Sequence, residues 1–189
     1  AEQLQQALFR NKLSLVLINL PAGNWAAGER GIACHPDRVD EFRQSLDTAL
    51  AYAAALGVPQ LNCLAGIRPM QVPVDTARHV LADNLRHAAL RLKAHGLRLL
   101  IEPINTYDIP GFFLHGTRQA LELIEEVGAD NLFLQYDVYH MQRMEGDLAH
   151  TLTAHIDKIA HIQIADNPGR HEPGSGEINF DFLFTHLDR

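Results

Sequence analysis

The chain has little of several features that mark whole classes of proteins. It contains two cysteines, Cys34 and Cys63, and their spacing is not that of a CxxC motif. This favours a reduced protein over a disulfide-stabilised one. The polar segment at residues 1–6 lacks the apolar stretch of a signal peptide. We therefore expect a cytoplasmic protein.

Basic blocks, long apolar runs and glycine-rich phosphate motifs are also missing from the sequence. The net charge is −7, which disfavours binding to nucleic acid through a basic face. No apolar run approaches the length that spans a membrane, so we expect no membrane association. Neither a GxGxxG nor a Walker-type sequence is found. A small anionic substrate remains compatible with these observations, because a local pocket can still be positive.

What the chain does contain is a regular alternation of strand and helix patterns. Its 189 residues, of which 47% are hydrophobic, suit a single α/β domain with a core of its own. Short apolar runs predict strands, and longer segments with helical spacing predict helices that mostly end at a glycine. Such repeats predict a parallel sheet. The predicted strands are Leu13–Leu20, Gln60–Leu64, Leu97–Glu102, Leu132–Asp137 and Ile159–Ala165, and the predicted helices are Asp37–Leu56, Asp75–His95, Thr117–Val127 and a last one capped by Asn179 that continues to the end of the chain.

Polar side chains stand where the predicted strands end. The strand before Pro103 ends in Glu102, and a carboxylate at the end of a buried strand is costly unless it is paired or bound to metal. Strand ends of this kind meet at the active-site face of a (β/α)8 barrel, and they also form the sites of doubly wound sheets. A closed barrel needs eight strands and typically ~250 residues. The five strands seen here leave two alternatives open, an open α/β layer protein or part of a barrel.

Three of these polar residues form a candidate metal site. Glu102, Asp137 and Gln163 are each separated by about one strand–helix unit, so neighbouring strands would bring them together. Hard oxygen ligands of this kind suit Mg²⁺ or Mn²⁺. The alternative is that each side chain only caps a loop or a helix. His140 follows Asp137 in what we predict to be a loop, where it could contact a substrate oxygen or simply bond to backbone.

Two glycine-bearing loops are candidates for lids over a ligand. Residues 21–31 follow the first strand and carry the only tryptophan, and residues 166–176 follow the fifth. Arg170 in the second loop could bind a carboxylate or hydroxyl through its planar fork. The alternative for both loops is an ordinary surface turn.

Several long segments resemble the hydroxypyruvate isomerase family, which includes closely related 2-oxo-tetronate isomerases. The family is one of the xylose isomerase-like barrels, and the resemblance covers nearly the whole chain. The segments that carry it are Asn19–Gly31, Ile101–Asn105, Gln135–Arg143, Gln163–Arg170 and Glu172–Phe180.

The resemblance implies a partial (β/α)8 barrel that covers about strands 3 to 7, with residues 1–189 as one domain. It implies an isomerase that interconverts hydroxypyruvate and tartronate semialdehyde through an enediolate, with a divalent metal, Mg²⁺ or Mn²⁺. Glu102 matches a catalytic glutamate that is also a metal ligand, and Asp137 and Gln163 match two further ligands. The matches to substrate-contacting positions are His140, Arg170 and, more weakly, Asp108.

The sequence departs from the family pattern in one respect that concerns catalysis. Family members carry a second glutamate, which is also the fourth metal ligand, on a last strand that has no counterpart here. Two initial strands also have no counterpart. From the resemblance we expect the 189 residues alone to be inactive or nearly so, and an incomplete barrel to expose strand edges that favour homo-oligomers. The alternatives are a 2-oxo-tetronate isomerase and a non-catalytic, sugar-acid-binding relic of the same fold.

Overall fold

The structure, a computed structural model, describes residues 1–188 and contains five strands and seven α-helices in this range. Strands and helices alternate along most of the chain, as the sequence predicts. The strands are β1 (Ile18–Asn19), β2 (Gln60–Cys63), β3 (Arg98–Ile101), β4 (Leu132–Asp137) and β5 (Ile159–Gln163), and the helices are α1 (Glu2–Asn11), α2 (Val39–Leu56), α3 (Val74–Lys93), α4 (Thr117–Val127), α5 (Val138–Met144), α6 (Leu148–His155) and α7 (Phe180–Leu187).

All five strands are parallel, and their order in the sheet is the same as their order in the chain. A doubly wound sheet reverses its strand order at a switch point, and a (β/α)8 barrel does not. The strand order among the described residues therefore favours the barrel alternative over the open doubly wound sheet. It also places all carboxyl ends of the strands at one edge.

The two faces of the sheet differ in chemistry because side chains alternate along each strand. On one face, residues such as Leu61, Leu99 and Leu134 join a core that also includes buried residues of the helices. The other face carries Asn62, Leu100, Phe133, Gln135 and, at the end of β4, Asp137. The site side chains thus project from the face that does not pack against the helices.

The predicted boundaries of β2 to β5 and of α2 to α4 are confirmed to within a few residues. The first predicted strand is much longer than β1, because only Ile18 and Asn19 pair with β2, and Leu13 and Val16 are exposed. Asn179 caps α7 as predicted, and its side chain accepts a hydrogen bond from the Phe182 amide at 3.0 Å.

One placement is wrong: His140 lies in helix α5 and not in a loop. The cause is Asp137, whose side chain accepts hydrogen bonds from the amides of Tyr139 at 2.9 Å and His140 at 3.3 Å and so starts the helix directly after β4. The following helix α6, which buries Leu148 and Leu152, was not predicted either. None of the helices in residues 1–188 has the length and apolarity that crossing a bilayer requires.

Candidate active site

Glu102 stands at the centre of the site, one residue beyond the end of β3. Its side chain is buried, with 5% of the residue exposed. The Nδ2 group of Asn62 on the neighbouring strand β2 donates a hydrogen bond to Glu102 Oε2 at 2.8 Å. The same amide donates to Asn19 Oδ1 at 3.1 Å, so the ends of three strands are joined by side chains.

The surroundings of Glu102 make it unusually easy to protonate. Burial raises its pKa to about 7, and the nearby charge of Asp137 acts in the same direction, while hydrogen bonds from Gln135 and Asn62 and the charge of Arg170 partly oppose them. A carboxyl group with a pKa near neutrality can accept and return a proton at physiological pH. Glu102 therefore has the properties of a general base.

Asp137 and His140 face Glu102 from the end of β4 and the first turn of α5. His140 Nε2 lies 3.5 Å from Asp137 Oδ2 and 4.0 Å from Glu102 Oε1, and both Asp137 and His140 are 2% exposed. Burial lowers the pKa of His140, although Asp137 acts in the opposite direction. Burial thus disfavours the charged form of the imidazole.

Arg170 reaches the same group of side chains from the loop that follows β5. Its guanidinium donates a hydrogen bond to Asp137 Oδ2 at 3.1 Å. The loop that carries it is built around Asp166, which is fully buried. The Asp166 carboxylate accepts hydrogen bonds from four backbone amides, those of Asn167, Gly174 and Gly176 at 2.9 Å and of Ile178 at 3.1 Å.

The residues at this position fit a divalent metal ion. One ligand atom from each of Glu102, Asp137 and His140 lies within 4.8 Å of the others. Gln163 pairs with Asp137 in the register of β4 and β5, and its Oε1 accepts a hydrogen bond from Gln135 Nε2 at 3.0 Å. Gln135 Oε1 is buried without a partner among residues 1–188, so the site contains an unsatisfied oxygen as well as two carboxylates. This donor set suits a hard cation.

Asp108 is the predicted site residue that the structure places at the margin. It forms an ion pair with Arg143, and it accepts hydrogen bonds from Tyr139 Oη at 2.7 Å and from Asn105 Nδ2 at 3.1 Å. These contacts connect the loop after β3 to helix α5. Asp108 therefore has a structural role, which is to hold the loop after β3 against helix α5.

Sequence reasoning assigned no role to two residues that contact the central group. Asn62 bonds Glu102, and Asn105 Nδ2 lies 2.7 Å from His140 Nδ1. Both are fully buried, and both are polar residues at or just past a strand end. A polar residue at a strand end was the sequence signal for both. The contact of Asn105 with His140 could not be predicted, because the two residues are 35 positions apart in the chain.

The first loop, at residues 21–31, closes against the sheet edge through Gly31. This residue has φ +113°, and a Cβ there would meet the Leu64 carbonyl oxygen at 2.2 Å. The loop also holds Trp25, which is half exposed and stacks on Arg30 at 3.9 Å. The loop is thus anchored at its end and carries an aromatic side chain that solvent can reach.

Comparison with known proteins identifies the architecture. The family model described as "Xylose isomerase-like TIM barrel" matches residues 1–189. The hydroxypyruvate isomerase of Escherichia coli (strain K12) is 57% identical over 187 residues, which cover 99% of this chain and 72% of that protein. The 2-oxo-tetronate isomerase of Cupriavidus necator is 43% identical over 188 residues, which cover 100% of this chain and 72% of that protein.

A solved structure agrees with this architecture. The crystal structure of "AP endonuclease, family 2" from Brucella melitensis superposes with a TM-score of 0.94 at 39% identity, and the match covers 98% of this chain and 71% of that one. The parallel sheet described above is therefore part of a TIM barrel, as the strand order indicates.

Proposed function

The chain belongs to the xylose isomerase-like TIM-barrel family, in the branch of the hydroxypyruvate isomerases, and from this premise we propose that it interconverts hydroxypyruvate and tartronate semialdehyde. The single observation that carries the proposal is Glu102, a carboxylate buried at the end of β3, held by Asn62 and facing Asp137 and His140. Moving a proton between adjacent carbons requires a base of this kind within reach of the substrate. A nuclease function is not proposed, because the chain has a net charge of −7 and no basic block.

The chain's own residues supply the parts of such a reaction. Glu102, which Asn62 holds through Oε2, takes the proton from the substrate carbon and yields the enediolate. Arg170 and His140 bring donors to the same place and bind the substrate oxygens. Glu102, Asp137 and Gln163 would hold a divalent ion, Mg²⁺ or Mn²⁺, which would supply positive charge where the enediolate oxygens develop.

A partial reaction tests the proposed base without requiring complete isomerisation. Removal of a substrate proton by Glu102 in D₂O incorporates deuterium, which NMR detects in hydroxypyruvate or tartronate semialdehyde. We expect Glu102→Gln to slow this exchange by about 10²-fold or more, the usual contribution of a general base. Glu125→Gln, an exposed glutamate of α4, is the matched control and should exchange like the original chain.

The same assay separates the remaining alternatives. Exchange should require Mg²⁺ or Mn²⁺ and stop when a chelator is added. A binding relic would show no exchange, with or without metal. A faster reaction with a four-carbon 2-oxo-tetronate would favour the second branch of relatives. Equal exchange by Glu102→Gln and the original chain would contradict the proposal.

The isomerase activity of residues 1–189 alone is the subject of a separate prediction. From the resemblance we expect little or no isomerisation by residues 1–189 alone. Robust metal-dependent isomerisation by this chain would contradict that prediction and leave the role of Glu102 intact. A cytoplasmic location, one domain over residues 1–189 and a homo-oligomeric state likewise stay proposals.

A further inference from the structure

Asn105 has an amide group whose orientation is fixed by the backbone of its own loop. Its Oδ1 accepts hydrogen bonds from the amide of Tyr107 at 3.1 Å and from the amide of Asp108 at 2.9 Å. Backbone amides only donate, so the atom that faces them must be the oxygen. The Nδ2 group therefore points the other way.

The two partners of Asn105 Nδ2 agree with this orientation. One is Asp108 Oδ2 at 3.1 Å, in a carboxylate that is ion-paired with Arg143 and so can only accept. The other is His140 Nδ1 at 2.7 Å. Since Nδ2 is a donor, the His140 Nδ1 atom must present its lone pair to it.

This hydrogen bond determines where the imidazole carries its proton. A neutral imidazole has one N–H and one lone pair, so a lone pair at Nδ1 leaves the proton on Nε2. The atoms near Nε2 support the same assignment, because they are the carboxylate oxygens of Asp137 at 3.5 Å and Glu102 at 4.0 Å. In a doubly protonated ring, His140 Nδ1–H and Asn105 Nδ2–H would be two donors facing each other across the 2.7 Å contact.

The pattern is the reverse of the one that metal-binding histidines show. Such a histidine directs its lone pair at the metal and donates its other N–H to a carboxylate or carbonyl. Here the ring nitrogen away from the carboxylates faces a donor, and the nitrogen that faces the carboxylates carries the hydrogen. His140 Nε2 thus has no lone pair for a cation, despite its place among the possible ligands.

We propose that Asn105 is a positioning residue that fixes His140 as the neutral Nε2–H tautomer; this gives His140 the donor that its substrate-contacting place, implied by the resemblance, requires. Only the last step, that this donor meets a substrate oxygen, rests on the proposed function. The tautomer and the ligand set are properties of the protein without substrate.

The tautomer can be observed directly in protein labelled with ¹⁵N-histidine. Long-range ¹H–¹⁵N NMR at pH 8 distinguishes protonated from unprotonated ring nitrogens, and the His140→Gln variant identifies the signals by their loss. We expect an unprotonated Nδ1 and a protonated Nε2 for His140. An Nδ1–H tautomer or a doubly protonated ring would overturn the proposal.

A charge-neutral exchange of two residues tests the part played by Asn105. In Asn105→Asp/Asp108→Asn, one oxygen of the new carboxylate still accepts the hydrogen bonds of the two backbone amides. The other oxygen accepts a hydrogen bond from the new side-chain amide at position 108 and one from His140 Nδ1–H. We expect the tautomer to reverse to Nδ1–H. Asp108→Asn alone keeps the Asn105 amide and should keep the original tautomer. Unchanged His161 signals show that the sheet is intact, and a double variant that folds and retains Nε2–H contradicts the proposal.

Metal binding provides an independent readout. Titration with Mn²⁺, followed by electron paramagnetic resonance, should give His140→Gln an affinity within about threefold of the original chain, whereas Asp137→Asn should lose about tenfold or more. A loss for His140→Gln as large as that for Asp137→Asn would place the imidazole among the ligands. Neither measurement uses turnover, so a failure of the proposed reaction would leave both results interpretable.

Discussion

Glu102 shows how a single residue combines opposing influences. Burial and the charge of Asp137 favour its protonated form, while the amide of Asn62 favours the carboxylate. The sequence predicted Glu102 and Asp137 as site residues, because an acid at the end of a buried strand needs a partner. It could not predict Asn105 as a partner of His140, because the contact depends on how the loop after β3 meets helix α5.

The two cysteines illustrate a residue property that follows mainly from burial. Burial raises the pKa of Cys34 and of Cys63 to about 12, and both are free thiols. At pH 8 their thiolate fraction falls by about 10³-fold relative to an ordinary thiol. We expect negligible reaction with a disulfide reagent such as DTNB in the folded protein.

The control for this prediction is the same protein in denaturant. Both thiols should then react at the ordinary rate, since unfolding exposes Cys34 and Cys63 alike. Rapid release of two equivalents from the folded chain would show that the thiols are accessible in the native state.

At the scale of elements, two of the predicted helices have a clear stop signal. Helices α2 and α4 end at Gly57 and Gly128, both in the left-handed conformation that glycine adopts freely. Helices α5 and α6 are only seven and eight residues long, and the segment that contains them was not predicted to be helical. The local signal for α5 is Asp137, a candidate ligand whose side chain caps this helix.

The loop after β5 gives a prediction about a whole element. Asp166 alone binds four backbone amides of this loop, so Asp166→Ala should release the segment between β5 and α7. We expect limited proteolysis within residues 167–178 to accelerate by about tenfold or more. Because Arg170 lies in the same segment, its contact with Asp137 should be lost as well.

Two further variants make the loop experiment specific. Asp166→Asn keeps one acceptor oxygen and should be cleaved at an intermediate rate. Asp157→Ala removes an exposed aspartate outside the loop and should leave the rate unchanged. Cleavage of Asp166→Ala at the original rate would show that other contacts hold the loop.

At the scale of the whole molecule, the alternation of strands and helices was sufficient to predict a parallel α/β sheet. It was not sufficient to distinguish a barrel from an open sheet by composition, because both have apolar strands and polar strand ends. The strand order resolves this point, since β1 to β5 follow one another without reversal. Pairing depends on contacts between distant residues, which local patterns do not contain.

The pH dependence of stability is a further property of the whole molecule. In the metal-free protein the pKa of Glu102 is raised from 4.5 to about 7, so the folded state binds this proton more tightly than the unfolded chain. The resulting stabilisation is complete below about pH 4.5 and is lost as the pH rises through 7. It amounts to roughly 3 kcal/mol at most.

Other groups titrate in the same range, so the quantity to measure is the difference in unfolding free energy between the original chain and Glu102→Gln. Urea unfolding with a chelator present, from pH 4.5 to 8, should show the original chain losing stability relative to Glu102→Gln as the pH rises. Parallel curves for the two proteins would contradict the raised pKa.

The two-faced sheet separates the positions at which mutations act. Alternate residues of the same strand belong to different sets: Leu134 is part of the packed core, and its neighbours Phe133 and Gln135 are on the opposite face with the site. Selection can therefore alter substrate preference at every second position while the packing between helices and sheet stays untouched. A lineage with this architecture can diversify its chemistry and keep its thermal tolerance.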